Sequence, residues 1–226
     1  MTEPLIAARA IHKAYARTVA LRGVSLLVEA GEVVAVTGPS GSGKSTLMLC
    51  LAGILRPESG EVDYAGSRLD DRDDAVRARL RRRDFGLVLQ FGQLLPELDA
   101  VDNVSLPLLL GGHSRASAAT LSRAWLERLG ADEVAEARPG EMSGGQAQRV
   151  AIARALVGGP KAIFADEPTA ALDSVSGAAV ASTLIQVARE SGAALLLVTH
   201  DNTLAAHADR EVVLRDGRNE PQDPAR

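Results

Sequence analysis

EVVAVTGPSGSGKSTLMLCLAGIL, residues 32–55, runs from an apolar strand-like stretch through a glycine-rich loop into a helical pattern. EVVAVT reads as a buried strand, and the periodic apolar residues from 45 to 55 read as a helix closed by Arg56 and Pro57. Between them, GPSGSGKS (residues 38–45) sets Gly38 and Gly43 ahead of Lys44 and Ser45. At average residue usage this pattern arises by chance in about one chain in a hundred of this length. In this setting the chemistry is phosphate binding, because backbone N–H groups and a helix N-terminus converge on anionic oxygens. Glycine is required where a Cβ would keep phosphate from the backbone. Gly38, Pro39, Ser40, Gly41, Ser42, Gly43, Lys44, Ser45 and Thr46 are therefore expected to line a bound nucleotide. Lys44 would reach the β- and γ-phosphates and the Ser45 hydroxyl would ligate Mg²⁺. The structural alternative is a plain Gly/Ser turn between strand and helix.

Lysine usage supports the functional reading. Only Lys13, Lys44 and Lys161 are lysines among 25 basic residues. A lysine kept against so strong an arginine bias marks a position that needs a compact ammonium rather than a planar fork. Further along, AIFADE ends a buried-strand pattern in two acids. Asp166 at its tip can hold Mg²⁺ directly or through a water, since a hard dication takes carboxylate oxygens. Glu167, one residue on, can polarise an attacking water. Without the loop upstream, the pair would read as solvated strand-end acids.

The rest of the chain builds an α/β core around these motifs. LIAARAIHKAY and VSLLVEAGEVVAVTG read as short strands, with a turn at Gly31. Residues 91–159 change character, since RASAATLSRAWLERLGADEVAEA and QAQRVAIARALVGG both carry helical spacing; a helical lobe is inserted there. KAIFADE and AALLLVTH then flank a helical stretch, a βαβ unit that implies parallel strands. GRNEPQDPAR, polar and with two prolines, reads as a frayed tail.

Composition excludes several functions. With 46% hydrophobic and 24% charged residues the 226-residue chain is an ordinary folded one, and a net charge of −4 gives no overall field that attracts nucleic acid. The run Arg77, Arg79, Arg81, Arg82, Arg83 is flanked by Asp70, Asp71, Asp73, Asp74 and Asp84, which reads as a solvated, salt-paired helix face. Cys50, alone of its kind, excludes an intramolecular disulfide and sits in an apolar run as core. Residues 1–13 show no secretion pattern and no window is apolar enough to span a membrane, so a cytoplasmic chain is expected, with any membrane span supplied by another chain.

A phosphate loop alone leaves kinases, GTPases, helicases and transporters open. MSGGQAQRVAIARAL, residues 142–156, narrows the choice. Ser143 is an N-cap candidate, Gly144 and Gly145 expose backbone N–H, and an amphipathic helix follows, which makes a second anion site. The stretch resembles the signature of the ABC ATPase family, with Met142 where leucine is usual, and the resemblance extends over most of the chain. It implies a phosphate-loop NTPase core with a mainly parallel sheet, an N-terminal antiparallel β subdomain and an inserted α-helical subdomain. It makes residues 1–217 one ATPase domain, core about 1–90 and 160–217, helical subdomain about 91–159, with 218–226 as a flexible tail. It also implies that Tyr15 stacks on adenine, that Gln90 touches Mg²⁺ and links core to lobe, and that Glu167 and His200 serve hydrolysis. Ser143, Gly144, Gly145, Gln146 and Asp173 would act in trans on the nucleotide of a second copy. On its own, a tyrosine at such a place is ordinary packing and His200 an ordinary strand-end histidine.

Three functions compete at this point: a transport motor coupled to a membrane partner, a soluble ABC ATPase acting on nucleic acid or the cell envelope, and a single-site kinase. Neither heptad arms nor a second phosphate loop is present. FGLVLQFGQLLPELDAVDNVSLPLLL is similar to ATPases of the lipoprotein-releasing, macrolide-export and bacitracin-resistance type. That similarity implies a homodimer using ATP and Mg²⁺ on the inner face of the membrane, bound to a permease with four transmembrane helices and an extracellular domain, and no nucleic-acid partner. Phe91, Leu94, Leu95, Leu98, Val101, Val104 and Leu106 are expected to divide between lobe core and a groove for a permease helix.

Overall fold

The computed structural model describes residues 3–90 and 94–220. Along the chain lie β1 (Ile6–Tyr15), β2 (Thr18–Val28), β3 (Val33–Thr37), α1 (Lys44–Leu51), β4 (Ser59–Tyr64), β5 (Ser67–Arg68), α2 (Asp74–Asp84) and β6 (Phe85–Val88). Then come α3 (Ala100–Leu110), α4 (Arg115–Arg128), α5 (Gly144–Leu156), β7 (Ala162–Asp166), α6 (Ser174–Ser191), β8 (Ala194–Val198), α7 (Asn202–Ala205), β9 (Arg210–Arg215) and β10 (Arg218–Asn219). The first sheet is antiparallel, in the order β2-β1-β4-β5. The second runs β10-β9-β3-β8-β7-β6, parallel throughout except for the β9–β10 pair.

β3, β7 and β8 are buried along their whole length, as near-continuous apolar runs in a parallel sheet require. Their period-2 alternation divides the interior in two. Val34, Val36, Phe164, Leu196 and Val198 pack with Leu47, Met48 and Leu51 of α1 and with Ile11, Leu21 and Val24 of the antiparallel sheet. Val33, Ile163, Ala165, Leu195 and Leu197 point the other way, into a core shared with Ile152 of α5 and Leu184 of α6. Edge-to-face contacts from Tyr64 to Phe85 (4.8 Å) and from Phe85 to Phe164 (5.2 Å) tie the two sheets together. Cys50 lies in the α1 core as expected, and burial pushes its thiol up to about 11.

α1 stops at Leu51, short of the expected Leu55, because Ala52 closes it and Gly53 turns at φ +63°. The arginine run does form a helix with ion pairs, Arg77 to Asp74 and Arg83 to Asp84 (2.6 Å), but it is not simply a solvated face. Arg77 is buried, and it donates to the Gly53 carbonyl at 3.0 Å while Arg81 donates to the same oxygen at 2.6 Å, so two cations close the negative end of α1.

The helices α3, α4 and α5, inserted in the chain between β6 and β7, pack on one another. Asn103, fully buried, shares its Nδ2 hydrogens among the carbonyls of Leu95, Leu98 and Asp99 and accepts from the Leu95 N–H at 2.8 Å. That one amide sets the loop leading into α3. Residues 218–220, placed by composition in a frayed tail, are ordered. β10 pairs with β9, and the Asn219 side chain both accepts from the Ser25 N–H and donates to the Ser25 carbonyl at 3.0 Å, stitching β10 onto β2. The remainder of the expected tail, 221–226, lies outside the described residues.

Candidate nucleotide site

The loop of residues 38–45 leaves the tip of β3 and enters α1, as the sequence pattern requires. Its three glycines all take positive φ: Gly38 +134°, Gly41 +78° and Gly43 +102°. Gly38 and Gly43 are constrained twice, because a Cβ would strike the carbonyl oxygen of Leu214 at the first and of Ala20 at the second. Gly41 has open space around it and needs glycine only for its dihedral. Lys44 is buried, and its ammonium donates to the carbonyls of Gly38 at 2.8 Å and Pro39 at 2.9 Å, inside the arch of the loop. No side chain caps α1 and no acid sits in its first turn, which leaves that positive helix end to an anion.

At the tip of β7 the two acids part company. Asp166 is buried and takes a hydrogen bond from Ser45; burial pushes its carboxyl up, against the pull of Ser45 and Lys44. Glu167 stands at φ +47°, rare for a residue with a side chain, and its N–H donates to the Val198 carbonyl at 2.9 Å. Its carboxylate lies 2.7 Å from His200 Nδ1 and accepts from Thr199 Oγ1 at 3.4 Å. The kink thus gives adjacent carboxylates different partners, one on the phosphate loop and one on the tip of β8. Thr199, fully buried, also accepts from the Asp201 N–H at 3.0 Å; the sequence reading passed over it, although a hydroxyl ending the apolar run LLLV was a visible signal. Gln90 is exposed, two residues past β6 and beside the strand that ends in Asp166. Tyr15, 47% exposed, closes the β1–β2 hairpin whose second strand meets the loop at Gly43.

The second glycine-rich turn is built differently. Ser143 caps α5, accepting from the Gln146 N–H at 3.2 Å, while Gln146 Oε1 accepts from the Ser143 N–H at 2.8 Å, a reciprocal capping box. Gly145 also serves packing, since a Cβ there would lie 2.9 Å from Leu172. Asp173 caps α6 through the N–H groups of Ser176 (3.0 Å) and Val175 (3.1 Å), and the Ser176 bond first of all holds its carboxyl below the usual range. Among the described residues, no hydrogen bond joins Ser143, Gly144, Gly145, Gln146 or Asp173 to the loop of residues 38–46.

A family model described as ABC transporter matches residues 21–170, which spans the phosphate loop, the capped signature helix and the acid pair. The chain belongs to the ABC transporter ATPase family. It is an ATP-binding and ATP-hydrolysing transporter subunit. It is 45% identical to the lipoprotein-releasing system ATP-binding protein LolD of Hyphomonas neptunium, over 93% of this chain and 92% of that protein. It is equally identical to the macrolide export ATP-binding/permease protein MacB 2 of Aeromonas hydrophila, over 96% of this chain but 34% of that longer protein. Its fold matches the dimeric post-hydrolysis state of the ATP-binding cassette MJ0796 bound to ADP and Pi, with a TM-score of 0.93 and 36% identity over 98% of this chain and 99% of that one.

Proposed function

We propose that two copies of this chain close on ATP and Mg²⁺, each phosphate loop meeting the signature helix of the other copy, and so drive a separate membrane permease. The observation that carries this reading is the pair of unlinked anion-ready helix ends: α1, uncapped by any side chain, and α5, whose N-terminus lies exposed. A second copy brings them together. In each site Tyr15 stacks on adenine, residues 38–46 with Lys44 hold the phosphates, and Ser143, Gly144, Gly145, Gln146 and Asp173 close over them from the partner. Ser45 and Asp166, already joined, offer the oxygen donors that Mg²⁺ takes, with Gln90 at the rim and the nucleotide completing the shell. Mg²⁺ supplies charge neutralisation at the phosphates. Glu167 orients and polarises the attacking water, and His200, bonded to Glu167, senses the γ-phosphate side.

The core, with β10 included, and the lobe act as one unit, with α3, α4 and α5 as the moving part. Of the apolar residues expected in a permease groove, Val101 and Val104 are buried in the lobe, Leu94 packs against it, and Phe91 lies outside the described residues. Leu95 is 45% exposed and Leu98 half-buried. Leu106 lines a cleft of about 320 Å³ with Phe85, Leu87, Leu89, Pro107 and Leu110, and Leu110 is 62% exposed. Arg81, Arg82, Arg83 and Arg154 also line this cleft between core edge and lobe, so it suits an amphipathic helix that turns an apolar face inward. The similarity to LolD and MacB supports a permease partner in general; in this proposal that permease has four transmembrane helices and an extracellular domain, and the chain sits on the cytoplasmic face of the membrane. Among the described residues no helix is long and apolar enough to cross a membrane.

Mixing subunits carrying Ser143→Arg with subunits carrying Lys44→Ala tests the shared site. A heterodimer then has one site with both lesions and one with neither, so activity should return; no recovery would contradict it. Leu95→Glu or Leu110→Glu should abolish co-purification with the permease and leave the soluble ATPase intact; an unaffected complex would contradict the groove.

A further inference from the structure

The turn between β9 and β10 has Asp216 at φ +50° and Gly217 at φ +75°, the paired left-handed residues of a tight two-residue hairpin. Gly217 is buried, and its backbone is committed on both sides. Its N–H donates to the carbonyl of Ser42 at 3.1 Å, and its carbonyl accepts from the Arg22 N–H at 2.7 Å. The hairpin thus joins β2 to the middle of the phosphate loop, and Asn219 fastens it to Ser25 by two bonds of 3.0 Å.

The Ser42 carbonyl belongs to the same planar, trans peptide as the Gly43 N–H. Pinning that oxygen toward Gly217 turns the Gly43 N–H the opposite way, away from the hairpin. Both flanking contacts of the loop fall on the same scaffold, since a Cβ on Gly38 would meet Leu214 of β9 and one on Gly43 would meet Ala20 of β2. Gly217 has no room for a side chain either: a Cβ would stand 2.7 Å from the Ala20 oxygen.

We propose that the hairpin of residues 215–219 is a brace for the phosphate loop, with Gly217 as a positioning residue that orients the Gly43 N–H and Asn219 as the fastening that holds Gly217 in place. The brace acts on phosphate binding and not on the bond-breaking step, because it contacts neither Glu167 nor His200. Its loss raises the Kd for ATP and for ADP alike.

The test measures Kd for a fluorescent ATP analogue and for ADP, kcat and KM, and melting temperature, in full-length Gly217→Ala, Asn219→Ala and Asn219→Asp, with Arg218→Ala as a control from an exposed side chain on the same strand. Gly217→Ala should raise Kd and KM by tenfold or more, about 1.4 kcal/mol of lost binding free energy, with kcat nearly unchanged. Asn219→Ala, which removes two bonds at the surface, should raise Kd about threefold to tenfold. Asn219→Asp, which keeps the acceptor for the Ser25 N–H, should fall between Asn219→Ala and the parent, and Arg218→Ala should match the parent. A folded Gly217→Ala protein with parental Kd, or one that loses kcat at unchanged KM, would overturn the proposal. If Gly217→Ala does not fold, a parental Kd in Asn219→Ala overturns it equally.

Discussion

The N-termini of α1 and α5 are both glycine-rich turns opening a helix, yet they are wired in opposite ways. At α1 the glycines sit at positive φ, the chain's own lysine fills the arch, and β2, β9 and the β9–β10 turn press on the loop from behind. At α5 the glycines are helical, a serine–glutamine box secures the cap, and one side is left exposed. The same residue type thus answers two needs. In the first turn glycine permits a backbone shape that encloses an anion, whereas in the second it permits close packing on Leu172 and leaves donors bare for another molecule.

Lys44→Arg breaks the first turn outright. The planar fork cannot take the place of an ammonium held between two carbonyls 2.8 and 2.9 Å away, so ATP affinity should fall about a hundredfold or more, as loss of two charge-assisted bonds implies. Equilibrium binding measures this, and parental affinity would refute it. Ser143→Arg breaks the second turn and should act differently. ATP affinity of the isolated chain should stay within about twofold, while kcat should fall about a hundredfold, the usual loss when preorganised donors are removed. A matching loss of affinity would mean that Ser143 serves its own chain's nucleotide.

A finer contrast comes from single methyl groups. Gly41→Ala meets no atom but strains φ +78°, and Gly145→Ala meets the flexible end of Leu172 while gaining helix propensity. Each should change folding stability by only about 1 kcal/mol, yet Gly41→Ala should raise KM for ATP and Gly145→Ala should lower kcat. Equal effects on both constants would erase the distinction drawn between the turns.

The smallest effect lies behind α1. Burial raises the Cys50 thiol from 9.0 to about 11, so the folded state holds its proton where the unfolded chain has lost it. That contribution is complete below pH 9 and is lost as pH rises toward 11. Denaturant titrations of Cys50→Ala should therefore show a pH dependence flatter by about one proton across that window and unchanged near neutrality; an unchanged slope above pH 9 would refute it.

Much of this was legible in the residues themselves. EVVAVT, AIFADE and AALLLVTH read as buried strands, the last two as parallel, and chemistry-bearing residues stand at or just past the end of each. Other features escaped because their physics is long-range. The two bonds from Arg77 and Arg81 to Gly53 span more than twenty positions, and a charge run looks solvated until the helix it covers is placed. The divergence of Asp166 and Glu167 depends on one dihedral that composition does not reveal. The β9–β10 hairpin was missed for a plainer reason. Its Asp216–Gly217 pair is a strong turn signal, but the prolines and polar residues that follow drew the whole stretch into a tail.

In the proposed assembly this chain completes its nucleotide site only with a second copy of itself. Light scattering on the Glu167→Gln protein, with and without ATP and Mg²⁺, tests it most directly. The variant should bind ATP without hydrolysing it, weigh as a monomer alone and as a dimer with nucleotide, and lose the dimer when Ser143→Arg is added. A monomer at saturating ATP and Mg²⁺, with binding confirmed in the same sample, would contradict it.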